Sequence, residues 1–256
     1  MGIEAPRPPI LLRMHLRWIR QFAGWTISLA CAGLPLAGAA AKPVLPSGYR
    51  LLYEQTFADA TALRDFQFSD PLAWRHSTAL GRGALELHRQ SQYTPRVRSP
   101  VNLALIADRW FGDFILEVDL VQTGREYGHR DMCVFFGAKD PANFYYVHLA
   151  TKADDHAHNV FLVNDAPRVK IAQRTTDGVQ WGLEVWHRVR LERTLADGSI
   201  KVFFNDLTEP IMVATDQHFD YGLIGFGSFD DTGMVANVRV WGPDFAPVRT
   251  GFFLSP

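Results

Sequence analysis

The chain has 256 residues, a formal net charge of −1 at pH 7 and 47% hydrophobic residues. This length suits one domain of ordinary size or two small ones, and the composition is typical of soluble globular proteins. A net charge so close to zero gives no electrostatic reason to expect a nucleic-acid partner.

Residues 1–41 differ in character from the rest of the chain. Four arginines come first, and an apolar run, residues 22–41, follows them and ends in small residues. This order is typical of a secretory signal peptide, so we expect a secreted or periplasmic protein with no membrane attachment after cleavage. The alternatives are an uncleaved anchor helix and a lipoprotein cut before Cys31.

Cleavage after residue 41 would leave Cys133 as the only cysteine, so no intrachain disulfide is expected. A domain of the remaining size can be stabilised by its core alone, and we expect it to be a monomer. Cys133 lies in an apolar run, which favours a small buried side chain over a nucleophile.

From residue 49 onward, short apolar runs alternate with turn residues. The runs that predict strands are 50–57, 74–76, 84–88, 101–106, 111–121, 132–138, 144–151, 159–163, 168–173, 179–186, 187–194, 199–205, 222–229 and 234–241. Alternation is strongest in 111–121, where Leu116 and Val118 share one face and Glu117 and Asp119 share the other.

Short strands at this spacing, in a sequence without a long amphipathic helix, predict an all-β protein. The expected architecture is an antiparallel jelly-roll β-sandwich of two curved sheets. The predicted domain covers residues 49–242, and residues 243–256 are predicted to be a C-terminal tail.

Three segments resemble one protein superfamily. They are FGDFILEVDL at 111–120, WHRVRL at 186–191 followed by IKVFFN at 200–205, and GLIGF at 222–226 followed by VRV at 238–240. They resemble the concanavalin A-like lectin/glucanase superfamily, and within it laminin-G-like modules and secreted bacterial domains similar to 3-keto-disaccharide hydrolases. The resemblance implies a domain that recognises an oligo- or polysaccharide on its concave face and needs no organic cofactor.

The glucanases of this superfamily carry Glu-x-Asp-x-x-Glu on one strand. Glu117 and Asp119 occupy the first two places, but Gln122 stands at the third. A two-carboxylate mechanism would therefore lack its acid/base group. Glu117 and Asp119 are interpreted as ligand-binding residues or as the polar face of an amphipathic strand.

The predicted hairpin 132–138 and 144–151 is the most informative stretch, and its turn is Asp-Pro-Ala-Asn at 140–143. Tyr146 and His148 share a face, and position 148 is expected to lie opposite position 135. His129 and Arg130 would then lie nearby. These four residues are the predicted catalytic set of a polysaccharide lyase or glycoside hydrolase, in which the arginine neutralises a uronate carboxylate.

Ligand contact without catalysis, or a purely structural role, are the alternatives for that set. The further predicted ligand contacts are Asp131, His156, His158 and Asn159. Since alternate residues of an extended segment point the same way, His156 and His158 could also share a metal ion with Asp154 or Asp155. Asp230 and Asp231, with Glu54 and Asp59 on the other side, are predicted to hold a structural calcium ion, although turn chemistry alone would also explain the paired aspartates.

Overall fold

The structure, a computed structural model, describes residues 2, 44–248 and 251–254. The predicted signal peptide lies outside this part of the chain except for Gly2, so its prediction is untested. Within the described residues, no helix is long and apolar enough to cross a membrane.

The described residues form eighteen strands and three short 3₁₀ helices. The strands are β1 Arg50–Gln55, β2 Phe66–Phe68, β3 Trp74–Ser77, β4 Ala84–Leu87, β5 Asn102–Ile106, β6 Arg109–Phe111, β7 Phe114–Gln122, β8 Asp131–Asp140, β9 Asn143–Ala150, β10 Asn159–Asn164, β11 Val169–Lys170, β12 Ala172–Thr175, β13 His187–Arg193, β14 Ser199–Phe204, β15 Met212–Thr215, β16 Leu223–Ser228, β17 Gly233–Gly242 and β18 Phe245–Pro247. The 3₁₀ helices are Ala60–Asp65, Pro71–Ala73 and Phe252–Leu254.

Two antiparallel sheets face each other. The nine-stranded sheet runs β12-β15-β14-β13-β7-β17-β4-β3, and β1 pairs with the far half of the long strand β17. The seven-stranded sheet runs β11-β10-β9-β8-β16-β5-β2, and β6 forms a small ribbon with β18. This arrangement confirms the predicted all-β, antiparallel jelly-roll sandwich.

The main core lies between the two sheets. Leu116, Val118 and Leu120 of β7 face Val134 and Val147 of the seven-stranded sheet, and all five are fully buried. Because side chains alternate along a strand, the intervening residues of each strand point away from this core.

A second apolar cluster covers the outer face of the seven-stranded sheet. Phe135, Phe144 and Tyr146 point outward from β8 and β9, yet each is at most 1% exposed to solvent. They are covered by Tyr93, from the loop between β4 and β5, and by Phe252 near the C-terminus. The predicted tail therefore packs on the sandwich, and the face expected to be open to sugar is mostly closed.

Several local predictions were wrong. Residues 179–186 form turns rather than a strand, because Gly182 and Glu184 have positive φ angles of 62° and 52°. Four short strands were missed, namely Phe66–Phe68, Arg109–Phe111, Met212–Thr215 and Phe245–Pro247. His148 lies opposite Cys133 rather than position 135, because a bulge after Phe136 shifts the hairpin register.

Candidate functional site

The hairpin of β8 and β9 places a polar group at one end of an apolar face. Asp131, Cys133, His148 and Tyr146 alternate with core residues, so they share the outer face of the seven-stranded sheet. Tyr146 lies deep in the second apolar cluster, whereas Asp131 and His148 lie where the strands end. The loops at this end surround a cavity.

We call this space the histidine cavity. It has a volume of about 150 Å³. Its lining residues are Arg98, Tyr127, His129, His148, His156, Arg168, Phe229 and Asp230. Three of the predicted site histidines therefore converge, although they come from two loops and one strand.

His148 forms the floor of the cavity, and both of its ring nitrogens face protein atoms. Nδ1 lies 3.1 Å from the carbonyl oxygen of His156, which can only accept, so Nδ1 carries a proton. Nε2 is buried and lies 3.3 Å from Oδ2 of Asp131 without forming a regular hydrogen bond. The ring is thus fixed in orientation, and neither nitrogen faces the open space.

Asp131 is the most enclosed carboxylate at the site. It accepts hydrogen bonds from the Ser228 hydroxyl at 2.9 Å, the Phe229 amide at 2.9 Å and the Cys133 thiol at 3.0 Å. Burial raises the pKa of Asp131, but the adjacent His148 and these hydrogen bonds outweigh it, so the pKa lies below its ordinary value. Burial, and then the Asp131 charge, raise the pKa of the Cys133 thiol, which argues against a nucleophile.

His129 and His156 form the accessible wall of the cavity. His129 Nε2 lies 2.5 Å from Oδ2 of Asp154, and both side chains are more than a third exposed. The other oxygen of Asp154 accepts the backbone N–H of His156 at 2.7 Å. Against the effect of burial, that amide and the His129 imidazole lower the pKa of Asp154. The pair His129–Asp154 is thus an imidazole with a fixed carboxylate partner.

The opposite wall contains two arginines that the sequence analysis did not identify. Arg168 donates to the Tyr146 hydroxyl and to the His156 carbonyl, each at 3.0 Å. Its guanidinium carbon lies 4.2 Å from the centroid of the Phe229 ring, and that of Arg98 lies 5.8 Å from the same centroid. No local pattern marks these residues, because Arg98, Arg168 and Phe229 meet from three separate loops.

Arg130 belongs to a different space. Its guanidinium is buried and donates to the side-chain and backbone oxygens of Gln122. It lines a neighbouring cavity of about 310 Å³ together with Glu126, Tyr127, Thr151, Gln180, Trp181 and Gly182. Tyr127 is common to both cavities, so they are adjacent, but Arg130 does not join His148. The arginine beside the histidines is Arg168.

The two carboxylates of the glucanase-like motif lie on the other sheet. Glu117 and Asp119 point outward from the nine-stranded sheet, whereas His148 points outward from the seven-stranded sheet. Arg190 donates to Glu117 at 2.5 Å, and Arg82 donates to Asp119 at 2.7 Å. Both carboxylates are 4% exposed, so they are occupied by ion pairs on the opposite side of the sandwich from the cavity.

His158 and Asn159 are also held away from the cavity. His158 has a φ angle of 50°, so it does not share the direction of His156, and its Nε2 lies 3.0 Å from the Thr176 hydroxyl. Burial, and to a lesser degree the nearby His148, lower the pKa of His158 to about 4. Asn159 accepts the Ala172 amide at 3.1 Å. The structure does not bring His156 and His158 together as a metal-binding pair.

Asp230 and Asp231 converge with Asp131 rather than with Glu54. One oxygen from each of the three aspartates lies within 4.8 Å of the others. Glu54 instead accepts a hydrogen bond from Arg239 at 2.7 Å, where β1 pairs with the far half of β17. Of the residues predicted to bind calcium, Glu54 therefore lies apart from the two aspartates, and the calcium prediction itself is untested.

Asp231 has the most unusual electrostatic environment among these aspartates. It accepts the Tyr127 hydroxyl at 2.8 Å and the Asp131 amide at 3.0 Å. Burial, together with the negative charge of Asp131, raises the pKa of Asp231 to about 6. Burial and the bond to Asp231 also raise the pKa of Tyr127, so its hydroxyl stays a hydrogen-bond donor.

Comparison with known proteins defines the fold class. No protein-family model matches the chain, and no curated protein matches it by sequence. Its structure is similar to a protein of unknown function with a galectin-like fold from Bacillus subtilis, with a TM-score of 0.51, 13% identity, and 75% of this chain and 97% of that chain covered. It is also similar to the winged bean acidic lectin in complex with methyl-α-D-galactose, with a TM-score of 0.51, 10% identity, and 78% of this chain and 100% of that chain covered.

These likenesses place the chain among lectin-like antiparallel β-sandwiches. It has the concanavalin A-like lectin/glucanase fold, as the resemblance of its three sequence segments implied.

Proposed function

We propose that this chain is an exported carbohydrate-binding domain and that the sugar enters the histidine cavity. The observation that carries the proposal is the cavity lining, in which Arg98, His129, His156 and Arg168 surround a small space beside the Tyr127 ring. Sugars are bound by such convergent hydrogen-bonding groups next to an aromatic surface. The winged bean lectin, which shares the fold, binds methyl-α-D-galactose, and this supports the same class of ligand.

The position of His148 favours binding over catalysis by that residue. A general base must reach the proton that it removes, either directly or through one water molecule. Both nitrogens of His148 are directed at protein atoms, and Nε2 is buried. Its contribution is to fix the His156 carbonyl and the cavity floor. Tyr146, fully buried under Arg168, likewise supports the site from below.

A glycan-binding screen with purified protein tests this proposal, followed by titration calorimetry with the best ligand. His156→Ala removes an exposed lining group and is expected to weaken binding about tenfold, as one hydrogen bond to a polar or charged group is worth roughly 1.5 kcal/mol. His218→Ala is the matched control, because His218 is similarly exposed and pairs with Asp216 outside the cavity. Absence of any glycan binding, or equal losses in the two variants, would contradict the proposal.

A polysaccharide lyase is the second candidate, and the pair His129–Asp154 favours it. An imidazole oriented by a carboxylate is a common general base, and here it opens onto the same cavity as Arg168. In this scheme Arg168, rather than Arg130, would neutralise the carboxylate of a uronate. Incubation with polysaccharides should then generate unsaturated uronate ends, and His129→Gln should abolish them while retaining binding. Wild-type protein that releases no unsaturated or reducing ends would exclude this activity.

We also propose that calcium stabilises the loop beside the cavity. Asp131, Asp230 and Asp231 supply the hard oxygen ligands that calcium prefers. An ion would offset the burial and the neighbouring negative charge that together raise the pKa of Asp231.

A further inference from the structure

Two cations of the histidine cavity have no acidic partner. Within the described part of the chain, no carboxylate oxygen lies within 4.0 Å of the guanidinium of Arg98 or of Arg168. The cations two positions away in the sequence are paired, since Arg96 lies 2.9 Å from Asp165 and Lys170 lies 2.5 Å from Asp155. The two cavity arginines therefore differ from their immediate neighbours.

Arg168 is held in place before any ligand arrives. Its guanidinium lies between the rings of Phe161 and Phe229, at 5.1 Å and 4.2 Å from their centroids. Two of its five N–H groups are used by the Tyr146 hydroxyl and the His156 carbonyl. The remaining donors are available in a fixed plane, which is the geometry that binds a carboxylate or a sulfate in bidentate fashion.

Arg98 adds a second positive charge over the same aromatic ring. Like charges that share one ring repel each other, and the repulsion is relieved when an anion binds between them. Of the residues that line the cavity, only Asp230 is acidic, and its contact with the Tyr127 hydroxyl is a long 3.4 Å. The carboxylates just behind the lining are already engaged, since Asp154 lies 2.5 Å from His129 Nε2 and Asp131 accepts three hydrogen bonds beside His148. The unpaired charges at the lining are therefore two guanidinium groups and one carboxylate, which favours a negative ligand.

We infer that the ligand of this cavity is an acidic sugar, whose carboxylate or sulfate group is bound by Arg98 and Arg168 together. This inference rests on the proposed carbohydrate-binding function and narrows its ligand class. Phe229 serves as the platform that aligns the two guanidinium groups, because Arg168 and the imidazole of His148 already stack on its ring. Tyr127, over whose ring the guanidinium carbon of Arg125 lies at 5.1 Å from the centroid, is the aromatic contact for the sugar.

Matched pairs of ligands separate the charge from the sugar. The probes are oligogalacturonate beside its methyl ester, and a sulfated galactan oligosaccharide beside its desulfated form, titrated into the full-length protein by calorimetry. We expect at least one acidic probe to bind tenfold or more tightly than its neutral counterpart, and the binding to weaken as salt is raised. The two arms show whether the carboxylate or the sulfate is preferred.

Arg98→Gln tests the role of the arginines, because Arg98 is exposed and its replacement should leave the fold intact. We expect it to weaken binding of the acidic probe about tenfold and to narrow the difference in affinity between the acidic probe and its neutral counterpart. Arg96→Gln removes the same charge two residues away and should have little effect. Arg168→Gln should cause a larger loss, provided that its circular dichroism spectrum matches that of the wild type.

The outcomes separate this inference from the function on which it rests. Equal binding of the acidic and neutral members of each pair, insensitive to Arg98→Gln, would overturn the acidic-sugar inference and leave carbohydrate binding standing. Equal losses of affinity for the acidic probe in Arg98→Gln and Arg96→Gln would also overturn the inference, since the net charge of the protein would then explain the binding. If no member of either pair binds, the acidic-sugar inference fails, and the glycan screen decides separately whether carbohydrate binding stands.

Discussion

Removal of the Asp131 carboxylate is the sharpest test of how the cavity floor is built. Asp131→Ala leaves the Ser228 hydroxyl and the Phe229 amide without their acceptor and leaves His148 beside an empty space. Each buried donor that loses its partner costs about 1–3 kcal/mol, and Asp131→Ala leaves two such donors. We therefore expect the free energy of unfolding to fall by about 2–6 kcal/mol.

Urea denaturation at neutral pH, followed by circular dichroism, measures this loss directly. Asp155→Ala is the control, because Asp155 is exposed and pairs only with Lys170, so no measurable loss is expected. A change of less than about 1 kcal/mol in Asp131→Ala would refute the reasoning, since that is the smallest cost of a single orphaned donor.

Three further predictions concern the aspartate cluster and the opposite sheet. Because the folded-state pKa of Asp231, about 6, lies above its ordinary value of 3.8, ionisation of Asp231 costs stability as pH rises from 4 through 6. Asp231→Asn should therefore stabilise the protein at pH 7.5 by up to about 2 kcal/mol and lose this advantage near pH 4. Urea denaturation at the two pH values measures the difference, and an equal difference at both would contradict a raised pKa for Asp231. Millimolar calcium should raise the Tm of the wild type by about 5 °C in scanning calorimetry and leave the Tm of Asp230→Asn unchanged. Equal Tm shifts in the two proteins would exclude Asp230 as a calcium ligand. Glu117→Ala should lower the free energy of unfolding by about 2 kcal/mol, because Arg190 loses its partner, with glycan affinity unchanged by calorimetry. A loss of glycan affinity in Glu117→Ala would instead show that Glu117 contributes to the sugar-binding site.

The sandwich was predictable because its signals are local. Period-two alternation in β7 and the Asp-Gly turn between β13 and β14 depend only on neighbouring residues, and all three strands form as expected. The strand at residues 179–186 failed because positive φ angles at Gly182 and Glu184 turn the chain, while Trp181 supplies the apolar signal from a turn.

The site was only partly predictable because its members meet through tertiary structure. The histidine-rich stretch 125–164 does border the cavity, but a bulge in the hairpin places His148 opposite Cys133. Arg98 and Arg168 lie in segments without a motif, and their relation to Phe229 depends on which strands are neighbours in the sheet. Likewise, the sequence shows that Glu117 is on an amphipathic strand, but not which sheet that strand joins.

The location of the ligand is the central claim, and histidine side-chain NMR tests it most directly. Imidazole resonances are followed while the best-binding sugar from the glycan screen is titrated into the protein. We predict that the resonances of His129, His148 and His156 shift with one common affinity, while those of His187 and His218, which lie outside the cavity, stay fixed. Binding that shifts only His187 or His218, or no histidine at all, would contradict the account and place the sugar elsewhere on the molecule.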